Sequence, residues 1–473
     1  MSPDGPRPPS VERVLVAARG RLPDTTDPGA LAAVAREVIS DERARLAAGG
    51  TAKSVDELAG MAIRRLDAFA DPLGSGSGLT RVLNATGVIL HTNLGRAPWP
   101  AGAIKAASRA AAAYSLLEFD RDAGRRGPRF RAAEAHLIAL TGAEDALVTV
   151  NNAAALLLAV GLAGRRGVAV SRGELVEIGG GVRIPEIIRR SGARLIEVGT
   201  TNRTRASDFE APLADGRATV VLRVHPSNFA QAGFVEVPDP VALARLAHEH
   251  GAIVIDDVGS GALLDTAAFG LAHEPTPSER LAAGADLVTF SGDKLVGGPQ
   301  SGLIVGRADL IARIRKDPLA RAVRPEKVTL AALAATLGLY RAGRATTEIP
   351  VWRMIAATPD ELGRRAAALL VALPDALRAR ITVSSMRSTV GGGSLPGETL
   401  ESAGLVVSGR APDALARRLR AGDPAVVGRV QDGAVLLDLR TIDPSDDDAL
   451  GHALASALVH APGLAPARTP GEA

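Results

Sequence analysis

The segment LVTFSGDKLVGGPQSGLIVG, residues 287–306, places a lysine between two apolar runs that are each typical of a buried strand. The first run ends at Phe290, Ser-Gly-Asp follows, and Lys294 precedes a double glycine and the second run. The chain has 55 basic residues, and only five of them are lysines. A sequence that supplies positive charge almost entirely with arginine keeps a lysine here, which indicates a specific role for its amine.

Seven short β-rich runs, of which this segment carries the last two, are separated by helical stretches rich in Ala, Leu and Arg. Several are apolar on both faces, which is typical of strands in a mostly parallel sheet covered by helices. We therefore predict an α/β domain whose ligand site lies at the carboxyl ends of the strands. The runs are DALVTV, GVAVS, ARLIEVG, ATVVLRVH, GAIVIDDV, ADLVTFSG and GLIVG.

Two further regions flank this domain. Residues 11–69 carry three helical patterns, and DPLGSGSG at 71–78 has the composition of a flexible linker. Beyond the helical stretch VTLAALAATLGLYRAG, helices alternate with the runs RITVSS, GLVVSG, AVVGRV and AVLLDLR. We predict a helical N-terminal domain with its linker at 1–75, the α/β domain at 76–330, a smaller α+β domain at 331–463 and a disordered tail at 464–473.

Composition excludes several classes of protein. The 473 residues include no cysteine, which rules out disulfides, thiolate metal sites and a cysteine nucleophile. The net charge of only +3 argues against a polybasic nucleic-acid coat. No signal pattern and no membrane-spanning apolar run is visible, so we expect a cytoplasmic protein without a resident metal.

The sequence leaves three interpretations of Lys294 open. In the first it is an ordinary lysine at a strand end, whose apolar stem is covered while its amine reaches solvent. A Schiff-base lysine must be partly desolvated so that its amine loses its proton near neutral pH. A Ser-Lys hydrolase would use Ser291 of the S-x-x-K pattern as nucleophile, but the S-D-N and K-T-G motifs that accompany it are absent from the sequence.

A pyridoxal phosphate site makes two further demands that the sequence meets. Its pyridine nitrogen needs a carboxylate, and Asp257 ends the apolar run GAIVIDDVGSG. Its phosphate needs a helix N-terminus, and Asn151 and Asn152 stand between the run ending TV and an Ala/Leu helix. Each feature alone also fits an ordinary turn or an ordinary helix cap.

Longer motifs carry a resemblance to a known family. RVLNATGVILHTNLGRAP, SRGELVEIGG, EVGTTNRT, RVHPSNFAQAGF, DDVGSG, FSGDKLVGGPQSGLIVG and GGGSLPG occur in this order. From about Val11 to Leu439 the chain resembles the bacterial selenocysteine synthases, the L-seryl-tRNA(Sec) selenium transferases. This resemblance implies a fold-type-I pyridoxal phosphate enzyme with a mostly parallel central sheet.

The resemblance also implies a reaction and its partners. Seryl-tRNA(Sec) would become selenocysteinyl-tRNA(Sec) through a Schiff base with pyridoxal 5′-phosphate and a dehydroalanyl-tRNA, with selenophosphate as selenium donor. A homo-oligomer built from dimers, up to a decamer, is expected, without DNA or membrane partners. The alternatives are a lyase paralogue acting on a small amino acid or amino-sugar acid, which would not need residues 11–69, and a tRNA-binding protein without catalysis.

Site residues follow from the matching motifs. Lys294 would form the Schiff base, Asp293 would assist catalysis and Asp257 would hold the pyridine nitrogen. The residues implied near the cofactor phosphate are Asn151, Asn152 and Ser291. The arginines implied to line the active site are Arg96, Arg129, Arg321 and Arg324. The arginines available for tRNA phosphates are Arg13, Arg19, Arg21, Arg36, Arg43, Arg45, Arg64 and Arg65.

Overall fold

The computed structural model describes residues 7–69, 79–127, 129–229, 231 and 233–459. The predicted linker at 71–78 and the predicted tail at 464–473 lie outside the described residues. The chain divides into two compact units, of which unit 1 ends at Val82 and unit 2 begins at Leu83.

Unit 1 contains three helices, α1 (Val11–Arg19), α2 (Pro28–Ala47) and α3 (Val55–Asp67). Helix α3 begins with a capping box, in which the Ser54 side chain accepts from the backbone of Glu57 and the Glu57 side chain accepts from the backbone of Ser54. The helices bury one shared apolar core, whose fully buried members include Val14, Leu31, Val38, Ile39 and Leu58. The helical patterns of the sequence are therefore confirmed.

Sixteen strands are described, one beginning at the end of unit 1 and the others in unit 2. They are β1 (Val82–Ala85), β2 (Phe119–Asp120), β3 (Arg125–Arg126), β4 (Asp145–Thr149), β5 (Gly167–Ser171), β6 (Glu177–Ile178), β7 (Val182–Arg183), β8 (Arg194–Val198), β9 (Ala218–Val224), β10 (Ile253–Gly259), β11 (Leu287–Ser291), β12 (Gly302–Gly306), β13 (Ile381–Thr389), β14 (Thr399–Ser408), β15 (Ala425–Gln431) and β16 (Ala434–Asp438).

The described helices of unit 2 are α4 (Ala101–Ala112), α5 (Ala132–Thr141), α6 (Asn152–Gly161), α7 (Ile184–Arg190), α8 (Glu210–Ala214), α9 (Pro240–Glu249), α10 (Pro277–Ala282), α11 (Ala308–Lys316), α12 (Pro318–Ala322), α13 (Lys327–Arg341), α14 (Ala345–Glu348), α15 (Pro350–Ala356), α16 (Pro359–Ala372), α17 (Asp375–Arg378), α18 (Pro412–Ala421) and α19 (Asp447–Val459).

The central sheet has seven strands in the order β4-β12-β11-β10-β9-β5-β8. Strands β8, β5, β9, β10 and β11 pair in parallel, while β12 runs antiparallel to both β11 and β4. Each of the seven β-rich runs supplies one of these strands, so the predicted mostly parallel α/β fold is confirmed. The side chains that end the parallel strands therefore meet at one edge of the sheet.

A second sheet has five strands in the order β1-β15-β16-β14-β13. Strand β14 pairs antiparallel with β13 and with β16, and helices α16, α18 and α19 share its apolar core. Helix α13 spans the predicted boundary at residue 330, and its residues Leu330, Leu333 and Leu337 pack in one cluster with Val288 and Phe290 of β11. The core of the large sheet thus continues beyond that boundary.

Candidate active site

Lys294 lies in a tight turn after β11, at the edge where the parallel strands end. Every residue of β11 and of its neighbour β12 is buried, so Lys294 stands at the edge of a buried layer of strands. Its Nζ lies 3.3 Å from the carbonyl oxygen of Gly393. Gly393 has φ +77°, and a Cβ there would come within 2.9 Å of Nζ, so only glycine leaves room around the amine.

The charge state of Lys294 is set mainly by burial. Desolvation lowers the pKa of the Lys294 amine, and Arg96 acts in the same direction. The carboxylates of Asp257 and Asp293 oppose this shift. An amine that gives up its proton more readily than a free lysine is the state that Schiff-base chemistry requires.

Asp257 stands at the end of β10, directly opposite Thr289 of β11. One carboxylate oxygen accepts a hydrogen bond of 2.8 Å from Asn152 Nδ2 and one of 3.0 Å from Thr289 Oγ1. Burial raises the pKa of Asp257, and these hydrogen bonds together with Lys294 oppose the rise. A cation placed beside this carboxylate would stabilise its ionised form, which suits a protonated pyridine nitrogen.

Helix α6 begins at the same edge of the sheet. The Asn151 side chain caps it by accepting a 2.9 Å hydrogen bond from the backbone of Ala154. The Oδ1 atom of Asn152 is buried and has no hydrogen-bond partner within the described part of the chain. Ser291, which ends β11, is also buried. The free backbone amides of a helix N-terminus and a buried hydroxyl residue are donors that fit a phosphate-bearing cofactor, whereas the Asn152 oxygen can only accept a hydrogen bond.

Arg96 and Asp293 form an ion pair beside Lys294. Nη1 of Arg96 lies 2.7 Å from Oδ2 of Asp293, and the backbone of Ala97 donates to the Asp293 carbonyl at 3.4 Å. Arg96 has φ 63°, a left-handed conformation that is uncommon for a residue with a Cβ. Two separate contacts therefore hold the loop at 96–97 against the turn that carries Lys294.

Arg129 and Arg324 meet at a second carboxylate, that of Glu118. Oε1 of Glu118 lies 2.8 Å from Arg129 Nη1 and 3.1 Å from Arg324 Nη1, and Oε2 lies 3.0 Å from Arg126 Nη2. The hydrogen bond from Arg129 is the main reason that the pKa of Glu118 is lowered. We call these four residues the Glu118 cluster. Its guanidinium groups are held in place by one carboxylate.

Arg321 is exposed on the short helix α12. Its segment is tied to the start of α6, because the backbone of Val150 donates to the Val323 carbonyl at 2.9 Å. The structure thus brings together Lys294, Asp293, Asp257, Asn152 and Arg96, a group that we call the Lys294 pocket. It places Arg129 and Arg324 in the Glu118 cluster and Arg321 on the segment beside α6.

Four contributors were not predicted from the sequence. Thr289 looks like an ordinary strand residue, and Gly393 belongs to the motif GGGSLPG, to which we assigned no role at the site. Glu118 carries no motif that distinguishes it. Ser227 approaches the amine, since its Oγ and Lys294 Nζ lie 3.2 and 3.9 Å from where a Cβ on Gly259 would stand. The roles of Glu118, Thr289 and Ser227 depend on contacts with residues far away in the chain, which the local sequence does not reveal.

Two features are absent from the described residues, a metal-binding cluster and a membrane-spanning helix. Within the ranges that the structure covers, no group of three or more His, Asp or Glu side chains could hold a metal ion. In the same ranges no helix is both long enough and apolar enough to span a bilayer.

Comparison with known proteins shows which family of sequences this chain is similar to. Residues 82–443 match the family described as L-seryl-tRNA selenium transferase. A relative from Carboxydothermus hydrogenoformans, an L-seryl-tRNA(Sec) selenium transferase, is 43% identical over 430 residues, which cover 90% of this chain and 91% of the relative. One of the same name from Geobacter sulfurreducens is 44% identical over 452 residues, covering 93% and 96%.

Solved structures show the same architecture. The structure of a D-glucosaminate-6-phosphate ammonia-lyase superposes with a TM-score of 0.57, covering 81% of this chain and 97% of the other. The two sequences are 22% identical, so the likeness concerns the fold alone.

Proposed function

The chain belongs to the L-seryl-tRNA selenium transferase family, and from this membership and the Lys294 pocket we infer that it converts L-seryl-tRNA(Sec) to L-selenocysteinyl-tRNA(Sec). The family resemblance of the sequence motifs is confirmed by this match. The observation that carries the function is the partly buried Lys294 amine, with its lowered pKa, beside the buried carboxylate of Asp257. The same relatives favour the transferase over a lyase paralogue.

Pyridoxal 5′-phosphate is the cofactor that fits this pocket. When bound, it supplies an aldehyde that captures amines and a ring that withdraws electron density from the amino acid's Cα. Lys294 would hold the aldehyde carbon and Asp257 the ring nitrogen. The N-terminus of α6, with Asn151, Asn152 and Ser291, would hold the phosphate.

The chain's own groups account for the proton movements. Lys294, whose pKa is lowered by burial, takes the proton from Cα of the seryl group. The β-hydroxyl then leaves as water after gaining a proton, which the charged Lys294 ammonium is placed to return. Asp293 keeps Arg96 beside this amine through their 2.7 Å ion pair. Selenium of selenophosphate then adds to the β-carbon of the resulting dehydroalanyl group, Cα regains a proton, and water cleaves the Se–P bond so that phosphate is released.

The arginines are proposed to bind selenophosphate, the selenium donor. A dianion with several oxygens favours the fork-shaped guanidinium over an ammonium group. Arg96 lies in the Lys294 pocket, and Arg321 is carried by the segment joined to the start of α6. Arg129 and Arg324 are held by Glu118, so they are already oriented when an anion arrives.

Unit 1 is proposed to bind the body of the tRNA. The Geobacter sulfurreducens relative aligns with 93% of this chain, so the similarity extends into unit 1. Arg13, Arg19, Arg36, Arg43 and Arg64 are exposed on its helices. Such groups attract phosphates, and duplex RNA is recognised mainly by its shape and backbone.

A cytoplasmic homo-oligomer built from dimers, up to a decamer, is also proposed. Its support is an exposed apolar segment next to the Glu118 cluster. Tyr114 is fully exposed, and Leu116 and Phe119 are 49% and 50% exposed. Apolar side chains grouped in this way suit a subunit interface.

Selenium transfer from selenophosphate to seryl-tRNA(Sec) tests the proposed function. We expect selenocysteinyl-tRNA from the wild-type holoenzyme with seryl-tRNA(Sec), no product from Lys294→Ala, and no conversion of free serine. Turnover of a small amino acid without transfer to tRNA would establish the lyase alternative. Binding of tRNA without any turnover would establish the non-catalytic alternative.

A further inference from the structure

A small space separates the Lys294 amine from the hydroxyl of Ser227. A Cβ on Gly393 would stand 2.9 Å from Lys294 Nζ and 4.0 Å from Ser227 Oγ. A Cβ on Gly259 would stand 3.9 Å and 3.2 Å from the same two atoms. The amine and the hydroxyl are therefore at most about 7 Å apart, which leaves room for one small group that contacts both at hydrogen-bonding distance.

Two glycines from different parts of unit 2 border this space. Gly259 ends β10 and has φ +60°, and Gly393 lies in the loop between β13 and β14 and has φ +77°. Glycine adopts these left-handed conformations at no steric cost. A side chain at either position would enter the space between the amine and the hydroxyl, so both residues keep it free for a ligand.

The Ser227 hydroxyl makes no hydrogen bond within the part of the chain that the structure describes. The residue is nevertheless buried, with 8% of its surface exposed. A hydroxyl can donate one hydrogen bond and accept others, and buried hydroxyls normally have a partner. The hydroxyl of Ser227 therefore has its full hydrogen-bonding capacity available to a group bound next to Lys294.

The loop that carries Ser227 is held in place on both sides. The backbone of His225 donates to the Asp257 carbonyl at 2.9 Å, and the backbone of Ser227 donates to the His225 carbonyl at 2.8 Å. On the other side, Asn228 Nδ2 donates to the Glu177 carbonyl at 2.8 Å. These contacts fix the hydroxyl relative to Asp257, the residue proposed to hold the ring nitrogen of the cofactor.

Elimination from a seryl group places two demands on the pocket. Lys294 must reach the proton on Cα, and a donor must reach the β-oxygen, which is two bonds away from Cα. Negative charge develops on this oxygen as the Cβ–O bond breaks, and a donor already oriented towards it lowers the barrier. An amine and a hydroxyl on opposite sides of a space of this size meet both demands at once.

We propose that Ser227 is a catalytic residue that donates a hydrogen bond to the β-hydroxyl of the seryl group as it leaves. The inference rests on the proposed function. When the Cβ–O bond breaks, the oxygen keeps the electron pair and its own hydrogen, takes a proton from the Lys294 ammonium and departs as water. Ser227 keeps its proton throughout, and its role is to orient the leaving oxygen and stabilise its charge.

A change of leaving group tests this role. Wild-type and Ser227→Ala holoenzymes are compared in single turnovers with seryl-tRNA(Sec) and with β-chloroalanyl-tRNA(Sec), and the dehydroalanyl-tRNA is trapped with a thiol. Ser227→Ala should slow elimination from the seryl substrate about a hundredfold, the usual effect of removing one such donor. Elimination from the chloroalanyl substrate should stay within about threefold, because chloride departs without a proton.

Asn228→Ala is the matched control in the same loop. Its side chain is exposed and bonds the Glu177 carbonyl, so its removal loosens the loop and leaves the Ser227 hydroxyl in the protein. Any loss of rate in this variant should be equal for the two substrates. Unequal losses confined to the seryl substrate are expected only when the hydroxyl itself is removed.

Equal slowing of both substrates by Ser227→Ala, or no slowing of either, would overturn the proposal. A changed visible spectrum of the resting Ser227→Ala holoenzyme together with equal slowing would assign the hydroxyl to the cofactor instead. Selenium transfer by the wild-type enzyme is measured in parallel. If transfer proceeds while the two substrates are slowed equally, the role of Ser227 fails and the proposed function stands. If the wild type transfers no selenium, the proposed function itself is wrong.

Discussion

Nδ2 of Asn152 donates a 2.8 Å hydrogen bond to Oδ1 of Asp257, and this one contact joins the start of α6 to the end of β10. The two residues are those expected to serve the phosphate and the ring nitrogen of the same cofactor. The Asn152 side chain thus fixes the distance between the phosphate end of the pocket, at the start of α6, and the ring-nitrogen end, at Asp257.

Asn152→Ala should weaken pyridoxal phosphate binding about tenfold, because it removes the hydrogen bond that orients the Asp257 carboxylate toward the ring nitrogen. Titrating the apoenzyme with the cofactor and following visible absorbance measures the effect. Thr289→Val removes the other hydrogen bond to Asp257 and should also weaken binding. Unchanged affinity in both variants would show that Asp257 does not face the cofactor.

Arg129→Ala should raise the KM for selenophosphate about tenfold or more, because it removes a guanidinium that Glu118 holds in position. Arg126 binds the other oxygen of the same carboxylate but its side chain is 79% exposed. Arg126→Ala is therefore the matched control and should leave KM within about twofold. Equal effects of the two substitutions would assign the Glu118 cluster a structural role.

The arginines of unit 1 fall into two groups, those held in an ion pair with a carboxylate and those, such as Arg36 and Arg43, that are exposed on a helix. Arg21, Arg45 and Arg65 are engaged in ion pairs, with Asp56, Glu42 and Asp41 respectively. We predict that Arg36→Ala or Arg43→Ala weakens tRNA binding and lowers the slope of log affinity against log salt by about 0.7 to 0.9. Arg21→Ala, which removes an arginine already paired, should change the slope less. A larger change of slope in Arg21→Ala than in Arg36→Ala or Arg43→Ala would place the tRNA on a different face of unit 1.

Glu42 gives unit 1 a stability that depends on pH. It is buried and accepts hydrogen bonds of 2.8 Å from Arg45 Nε and 2.9 Å from the backbone of Lys53. The hydrogen bond from Arg45 is the main reason that the pKa of Glu42 is lowered to about 2. A carboxyl whose folded pKa lies below its unfolded value stabilises the protein above about 4.5 and loses this effect as pH falls towards 2.

Glu42→Gln should therefore lower the urea midpoint of the full chain at pH 6, and the difference from wild type should shrink steadily at lower pH. The backbone of Ser54 also lowers the pKa of Glu57, at the capping box of α3, so Glu57→Gln should show a smaller change of the same sign. A difference that stays constant from pH 6 to pH 3 would rule out ionisation of Glu42 as the source of this stability.

The large sheet could be predicted because its strands are buried on both faces. A run such as GVAVS, buried at every position, is typical of a strand covered by helices on both faces of a sheet. Strand β1 was missed, since VLNA is short and contains a polar residue. Its neighbour in the sheet, β15, begins at Ala425, and no local pattern reports a partner so distant in sequence.

The closeness of Lys294 and Asp257 could be predicted because Asp257 lies in the last part of one apolar strand, Lys294 follows the next one, and parallel strands bring their carboxyl ends together. The Gly393 carbonyl that contacts Lys294 is 99 residues further along the chain. Glu118 contacts Arg324 across 206 residues. Such pairs are created when the two sheets and α13 pack together. The hydrophobic periodicity of any one segment does not predict which distant residues it will contact.

The visible absorption spectrum of the purified holoenzyme, taken before and after addition of seryl-tRNA(Sec), tests the assignment of Lys294 most directly. We predict a Schiff-base band that disappears in Lys294→Ala, shifts with seryl-tRNA(Sec) and does not respond to free serine. A wild-type protein that shows no such band after incubation with pyridoxal phosphate, or a band that persists unchanged in Lys294→Ala, would contradict the account.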